Sequence, residues 1–121
     1  MKTINLADIP GMTFPTGRYT RVMIGADSPI QAENFTMGYV KVNPQGSVPK
    51  HVHEQEEVYF IAEGNGRIEV GNEVKEVSAG TSIYIPSNVP HELVNTGNET
   101  MTMIFVYSPA GTVDHWDEER K

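Results

Sequence analysis

Short apolar and β-branched runs alternate with turn residues along most of the chain. Runs of this length, bounded by Gly, Pro, Asn and Asp, are typical of β-strands. The pattern predicts strands at residues 19–24, 35–42, 58–62, 67–70, 74–77, 81–85, 91–95 and 100–107. About eight or nine short strands at this spacing favour a sandwich or a barrel. We therefore expect an all-β single domain, most simply a jelly roll, that is, a double-stranded β-helix.

Turn residues separate these runs. Residues 43–46 (Asn-Pro-Gln-Gly) have proline at the second position of a β-turn. Residues 71–73 (Gly-Asn-Glu) lie between two short strand patterns and predict a hairpin.

The last predicted strand is largely apolar on both faces. One face carries Met101, Met103, Phe105 and Tyr107, and the other carries Thr102, Ile104 and Val106. The first face can fill the barrel, whereas the second needs a cover, because neither face suits open water. The cover is either the N-terminal strand or a second subunit.

Composition narrows the possible partners and the compartment. The chain has 121 residues, a formal net charge of −7 and a pI of about 5.0. Without a basic stripe it is a poor candidate for binding nucleic acid or an anionic membrane. There is no cysteine, which fits a reducing cytosol. The N-terminus has no apolar signal region and no run is long enough to span a membrane, so we expect a cytoplasmic protein.

Three of the four histidines fall within two short segments. His51 and His53 are two positions apart, so on a strand their imidazoles would share a face. Glu57 follows closely, and His91 comes from a separate predicted strand. Imidazole and carboxylate ligands suit manganese, iron, cobalt, nickel or zinc. An octahedral ion would keep two open positions, which are typical of a catalytic or ligand-binding site.

The two segments resemble the two motifs of the cupin superfamily. The first motif is matched by His51, His53, Glu57 and Gly64, and the second by Gly80, Pro86, His91 and Asn95. Two positions depart from the motifs. Asn88 stands where the second motif has glycine, and asparagine is a good substitute for glycine at positive φ. In the first motif, four residues rather than five separate Gly46 from His51.

The resemblance implies a small single-domain cupin. Its barrel core would cover residues 35–108, preceded by an N-terminal segment at 1–34 with an early strand that packs on the barrel or on a partner subunit, and followed by an acidic tail at 109–121. It also favours a homodimer, with cover by the chain's own N-terminal segment as the alternative.

The resemblance leaves three functions open. The first is a metal-dependent enzyme acting on a small anionic or polyhydroxy substrate, with dioxygenase chemistry preferred over isomerase, lyase or decarboxylase chemistry. The second is a non-catalytic module that binds or senses a small molecule. The third is a β module that uses metal only for stability.

Other side chains are weaker candidates. Tyr59 is the one candidate catalytic residue, as a hydrogen-bond donor to a metal-bound ligand, with a packed core aromatic as the alternative. Arg18, Arg21 and Lys50 would attract an anionic substrate, or lie solvated on the surface. Exposed charge is expected at Glu54 and Glu56, and a turn or strand-end role at Asn95. Core packing is expected at Met37, with a position lining the pocket as the alternative. His115 and Trp116 belong to a terminal helix or frayed tail, with packing over the barrel mouth as the alternative.

Overall fold

A computed structural model of the chain describes residues 1–25, 28–111, 116 and 119. These residues form ten strands, preceded by a short 3₁₀ helix at Leu6–Asp8. The strands are β1 (Met12–Phe14), β2 (Arg18–Ile24), β3 (Thr36–Val42), β4 (Ser47–His51), β5 (Glu56–Glu63), β6 (Asn65–Val70), β7 (Glu73–Ser78), β8 (Ser82–Ile85), β9 (His91–Asn95) and β10 (Met101–Ser108). No helix within the described residues has the length and apolar character needed to span a membrane.

The strands build two antiparallel sheets. One sheet has the order β1-β2-β3-β10-β5-β8, and the other has the order β4-β9-β6-β7. This arrangement is the jelly roll that the strand pattern predicts. The predicted hairpin is confirmed, because β6 and β7 are joined by a two-residue turn in which Gly71 has φ of 59°. The turn at residues 43–46 is also confirmed, since the N–H of Gly46 donates to the carbonyl of Asn43 over 2.8 Å.

Two strands, β1 and β4, are absent from the predicted strand ranges, although the histidine spacing placed His51 on a strand. β4 contains Pro49 and Lys50, which weaken a strand pattern. Proline is tolerated here because β4 is an edge strand of its sheet. At the unpaired edge no ladder hydrogen bond is lost when a residue has no N–H. β1 is only three residues long and Pro15 follows it directly, so it has too few positions to show alternation.

The core lies between the sheets and is built from alternating residues of both. The buried apolar residues of β5 and β10 face the interior with exposure of 0–3%. The core cluster comprises Val40, Val42, Val48, Tyr59, Ile61, Ile68, Val77, Ile83, Ile85, Leu93, Met101, Met103, Phe105 and Tyr107. The first face of the last strand therefore fills the barrel, as expected. Met37 is only half-buried and lies outside this cluster, so its predicted core position is wrong.

The outer face of β10 belongs to an apolar surface on the six-stranded sheet. Val58 and Phe60 on β5 lie opposite Val106 and Ile104 on β10, and Tyr84 on β8 lies opposite Val58. Of these, Val58 is 41% exposed, Phe60 38%, Val106 38% and Tyr84 58%. β1 and β2 extend this sheet beyond β3 and do not cover it. An intramolecular cover by the N-terminal segment is therefore not what the described residues show.

Candidate metal site

The four predicted ligands meet at one end of the barrel. His51 ends β4 and is the cross-strand partner of His91, which begins β9 in the same sheet. Glu57 lies at the second position of β5 in the opposite sheet. His53 lies in the connection between β4 and β5, which runs from one sheet to the other. We call these four residues the histidine–glutamate cluster.

The cluster forms by a different route from the predicted one. His51 and His53 do not share a strand, because β4 ends at His51. The pairing of β4 with β9 shifts in register between Val48 and His51, and Val52 turns outward with 53% exposure. The chain thus leaves the sheet between the two histidines, and His53 converges on the cluster from a loop.

The geometry of the cluster is compact. Each residue offers one ligand atom, and these atoms all lie within 4.8 Å of one another. Glu57 Oε1 is 3.2 Å from His53 Nε2 and 3.4 Å from His91 Nε2. The ring centroids of His51 and His91 are 4.1 Å apart. His91 is fully buried and Glu57 is 5% exposed, so the cluster lies largely out of bulk water.

Backbone carbonyls orient all three imidazoles in the same way. The Nδ1 atom of each ring lies within hydrogen-bond distance of a carbonyl oxygen: 2.6 Å from Pro49 for His51, 2.9 Å from Gln55 for His53 and 2.9 Å from Val89 for His91. A carbonyl oxygen accepts only, so each Nδ1 carries the proton and donates it. The neutral ring then has its lone pair on Nε2. This is the outer-shell arrangement that metal-ligating histidines commonly have.

The turn before β9 fixes the loop that carries His53. The N–H of Asn88 donates to the carbonyl of His53 over 2.9 Å, and Ser87 Oγ donates to the carbonyl of Glu54 over 2.5 Å. Asn88 has φ of 61°, which confirms that asparagine takes the positive φ expected where the motif has glycine. Asn88 therefore positions His53 through the backbone.

Asn95 has the strand-end role expected of it. Its side chain is 1% exposed and donates from Nδ2 to the carbonyls of Val42 and Glu99, over 2.9 Å and 2.8 Å. Its Oδ1 accepts the N–H of Gly97 over 2.9 Å. Asn95 thus joins the end of β9 to the end of β3.

Burial and mutual charge shift the titration of the cluster. Burial, together with the positive charge that His91 can carry, lowers the pKa of His51 to about 3. Burial alone would lower the pKa of His53, but the hydrogen bond and negative charge of Glu57 outweigh burial and raise it. Burial alone would likewise raise the pKa of Glu57, but its contacts with His53 and His91 outweigh burial and lower it. Glu57 is therefore the anionic member of the cluster.

A small cavity of about 20 Å³ adjoins the cluster. It is lined by Arg18, Val40, Val48, His51, His53, Glu57, Tyr59, Met103, Phe105, Tyr107 and Trp116. Tyr59 is 2% exposed, and burial followed by the charge of Glu57 raises its pKa well above the usual value. A larger groove of about 470 Å³ between β7 and β8 contains none of the cluster residues. Of these two cavities, the small one therefore adjoins the cluster.

One of the three candidate cations reaches this cavity. Arg18 lines it and is 3% exposed. Lys50 is exposed and pairs with Glu69 at 2.5 Å, and Arg21 lies 4.7 Å from the ring centroid of Tyr19. Neither of these two cations lines the cavity. Glu54 and Glu56 are exposed, as expected.

The C-terminal residues contribute to the cavity wall. Trp116 lines it and contacts Phe14 and Phe105, with ring centroids 6.2 Å and 6.1 Å apart. Glu119, which sequence analysis did not single out, forms a buried ion pair with Arg18 at 2.6 Å. No local pattern indicates a contact across 101 positions. His115, the other candidate in this segment, lies outside the described residues.

Comparison with known proteins places this geometry in context. A family model described as Cupin domain matches residues 38–107. An uncharacterized protein of Methanocaldococcus jannaschii is 38% identical over 72 residues, which cover 60% of this chain and 57% of that protein. The chain thus spans little more than half the length of that relative.

Two solved structures have the same fold. The polyketide cyclase RemF from Streptomyces resistomycificus has a TM-score of 0.75 and 28% identity, and the match covers 89% of this chain and 79% of that one. An RmlC-like cupin from Shewanella frigidimarina has a TM-score of 0.78 and 17% identity, and the match covers 91% and 92%. At its lower identity, the second likeness concerns the fold alone.

Proposed function

The chain is a member of the cupin family, and we propose that it is a metal-dependent enzyme. The histidine–glutamate cluster would hold one divalent transition metal. The substrate would be a small anionic or polyhydroxy molecule that binds in the adjoining cavity.

The orientation of the three imidazoles is the observation that carries this proposal. Three backbone carbonyls accept the Nδ1 protons, so each ring, when neutral, has its metal-binding lone pair on Nε2. The His91 Nε2 is buried and has no hydrogen-bond partner among the described residues; its 3.4 Å contact with Glu57 lacks hydrogen-bond geometry. An unpartnered buried polar atom costs about 1–3 kcal/mol. Coordination of a cation would satisfy this atom.

The donor set also fits a particular group of ions. Three imidazole nitrogens and one carboxylate suit manganese, iron, cobalt, nickel or zinc, and the absence of thiolate ligands disfavours soft ions. A bound ion of this kind would supply Lewis-acid or oxygen-activating chemistry. A divalent cation with one carboxylate ligand has a net positive charge, which favours an anionic substrate.

The surrounding residues would orient the substrate and exclude water. The raised pKa of Tyr59 keeps its hydroxyl protonated at neutral pH, so we propose it as a hydrogen-bond donor to the substrate. Its ring centroid lies 6.0 Å from that of His91. The apolar walls of Met103 and Phe105 would strengthen polar contacts inside the cavity by lowering the local dielectric.

Two reaction classes fit this site. Oxygen-dependent chemistry of the dioxygenase type is the first candidate. A Lewis-acid conversion without oxygen is the second, and the 28% identity with the polyketide cyclase RemF favours it. Oxygen uptake by the metal-loaded protein, measured with small hydroxy acids, diols and polyphenols, separates the two. Substrate binding without turnover under either condition would support the non-catalytic binding module instead.

Elemental analysis of untagged protein, purified without chelator, tests the site itself. We expect about one equivalent of manganese, iron, cobalt, nickel or zinc per chain, because the four ligands together hold a single ion. His53→Ala and His91→Ala should each abolish tight binding. Glu54→Gln, which alters an exposed carboxylate beside the cluster, is the matched control and should keep the metal. Equal metal content in all three variants would refute the assignment.

We further propose a homodimer formed through the apolar outer face of the six-stranded sheet. Val58, Phe60 and Val106 form adjacent exposed positions on this face, and contiguous apolar surface commonly marks an interface. Phe60→Glu should give a monomer in size-exclusion chromatography with light scattering. Val74→Glu, at a 57% exposed position on the other sheet, should leave the dimer intact. A wild-type monomer would exclude the proposal.

A further inference from the structure

We propose that Arg18 recognises the anionic group of the substrate, and that the carboxylate of Glu119 binds the Arg18 guanidinium when no substrate is present. An anionic substrate would therefore bind by taking the place of Glu119. This inference rests on the proposed function, since it concerns the same cavity.

Arg18 has the geometry of a carboxylate-binding residue. Its Nε donates to Glu119 Oε2 over 2.7 Å and its Nη2 donates to Glu119 Oε1 over 2.6 Å. Two parallel bonds of this kind are the bidentate arrangement by which arginine recognises carboxylates. Arg18 also lines the cavity beside the histidine–glutamate cluster, whereas Glu119 does not, so a ligand carboxylate would take the fork at the wall of this cavity once Glu119 has left it.

The barrel holds the guanidinium in place independently of Glu119. Nη1 of Arg18 donates to Thr20 Oγ1 on the same strand. The guanidinium carbon lies 3.7 Å from the ring centroid of Phe14, within the range of a cation–π contact. A preorganised arginine of this kind needs little rearrangement to exchange one carboxylate for another.

Glu119 reaches this position from beyond the last strand. Its Oε2 accepts a hydrogen bond from Thr16 Oγ1 as well as from Arg18. It therefore presents to Arg18 the same chemical group that the net positive metal site favours in a substrate. A buried ion pair is weak evidence for stabilisation, because the cost of desolvation offsets much of the attraction. The pair thus calls for an explanation other than stability.

The cavity is small as the structure describes it. A volume of about 20 Å³ holds roughly one water molecule, which is too little for an organic acid. Its lining residues belong to barrel strands, with the exceptions of His53 and Trp116. His53 is part of the cluster, and Trp116 comes from the segment that follows the last strand. Glu119 lies three positions further along the chain, so we expect displacement of Glu119 to change the surroundings of Trp116.

The fluorescence of Trp116, the single tryptophan of the chain, provides the readout. We would titrate zinc-loaded, full-length protein with malonate, a small dicarboxylate, and with malonamide as the uncharged control. Malonate should change the Trp116 emission and malonamide should not. Glu119→Gln should tighten malonate binding by on the order of tenfold, because the competing carboxylate is lost. Arg18→Gln should weaken it by on the order of tenfold or more.

Thr16→Val is a milder variant that keeps the inference testable if Arg18→Gln or Glu119→Gln fails to fold. It removes one hydrogen bond to Glu119 and leaves the Arg18 guanidinium unchanged, so it should tighten malonate binding by a smaller factor. A purely structural ion pair predicts lower thermal stability in Glu119→Gln with unchanged malonate affinity, and that result would overturn the inference. Failure of wild type and Glu119→Gln to bind malonate would also overturn it.

Zinc content, measured on the same samples, separates this inference from the proposed function. If zinc content is normal and Arg18→Gln binds malonate as tightly as the wild type, the role of Arg18 is rejected and the metal site is not. Failure to retain zinc in the wild type would reject the metal site itself.

Discussion

Replacing Glu57 by glutamine tests the electrostatic part of the metal-site proposal with little change in side-chain volume. The ligand atoms of the cluster lie within 4.8 Å of one another, so an ion bound among them lies near the carboxylate. Two unit charges about 4 Å apart interact by about 4 kcal/mol at an effective dielectric constant of about 20, and a divalent ion about doubles this interaction. Part of this is offset, because glutamine removes the cost of burying an ionised carboxylate. We expect metal binding to weaken by about 3 kcal/mol, on the order of a hundredfold.

The assay is a competition titration at neutral pH, in which a chromophoric chelator and the protein compete for zinc. Glu54→Gln, at the exposed neighbouring position, removes the same charge from the chain and should keep the wild-type Kd. Circular dichroism of the Glu57→Gln variant checks that the β-sheet content is retained. The same Kd for wild type and Glu57→Gln would refute the reasoning, because Glu57 would then lie outside the coordination sphere.

Three further predictions concern positioning and protonation. Asn88→Ala should weaken zinc binding by on the order of tenfold, because alanine disfavours the φ of 61° that brings the Asn88 N–H to His53. Asn88→Gly should bind zinc like the wild type in the same titration. Asn95→Ala should lower the free energy of unfolding by about 3 kcal/mol, at about 1 kcal/mol for each of its hydrogen bonds, and an unchanged urea midpoint would contradict this. As pH falls from 6.5 to 4.5, the free energy of unfolding of the metal-free protein should decrease. The unfolded chain binds a proton at His51 over this range, whereas the folded chain, in which the pKa of His51 is about 3, does not. His53, whose pKa is raised, makes the free energy of unfolding depend on pH only above pH 6.5. His51→Gln should therefore remove the pH dependence below pH 6.5, measured by urea titrations.

The strands around the site were predictable because their alternation assigns faces without knowledge of tertiary contacts. The buried positions of β5 place Glu57, Tyr59 and Ile61 on one face, as their spacing indicates. The two-residue hairpin at Gly71 and the positive φ of Asn88 followed from local backbone preferences. These features depend on neighbours in sequence, which is why the sequence reports them.

The remaining features depend on contacts that local patterns do not encode. The end of β4 at His51 follows from a shift in its pairing with β9, so the predicted common strand for His51 and His53 was wrong although both residues reach the cluster. Arg18 and Glu119 are separated by 101 positions, and neither belongs to a motif. Only the closure of the barrel brings such residues together.

The position of the cluster connects metal binding to the stability of the whole barrel. Its residues come from the four-stranded sheet, the six-stranded sheet and the loop between them, so an ion held by all four would join the two sheets at one end. Binding to the folded chain alone stabilises it by about 2.7 kcal/mol when free metal is at a hundred times Kd. The cavity at that end is also lined by Arg18 and Trp116. Under the proposed role of Arg18, a substrate that displaces Glu119 would place its anionic group in the cavity that the metal ligands also line.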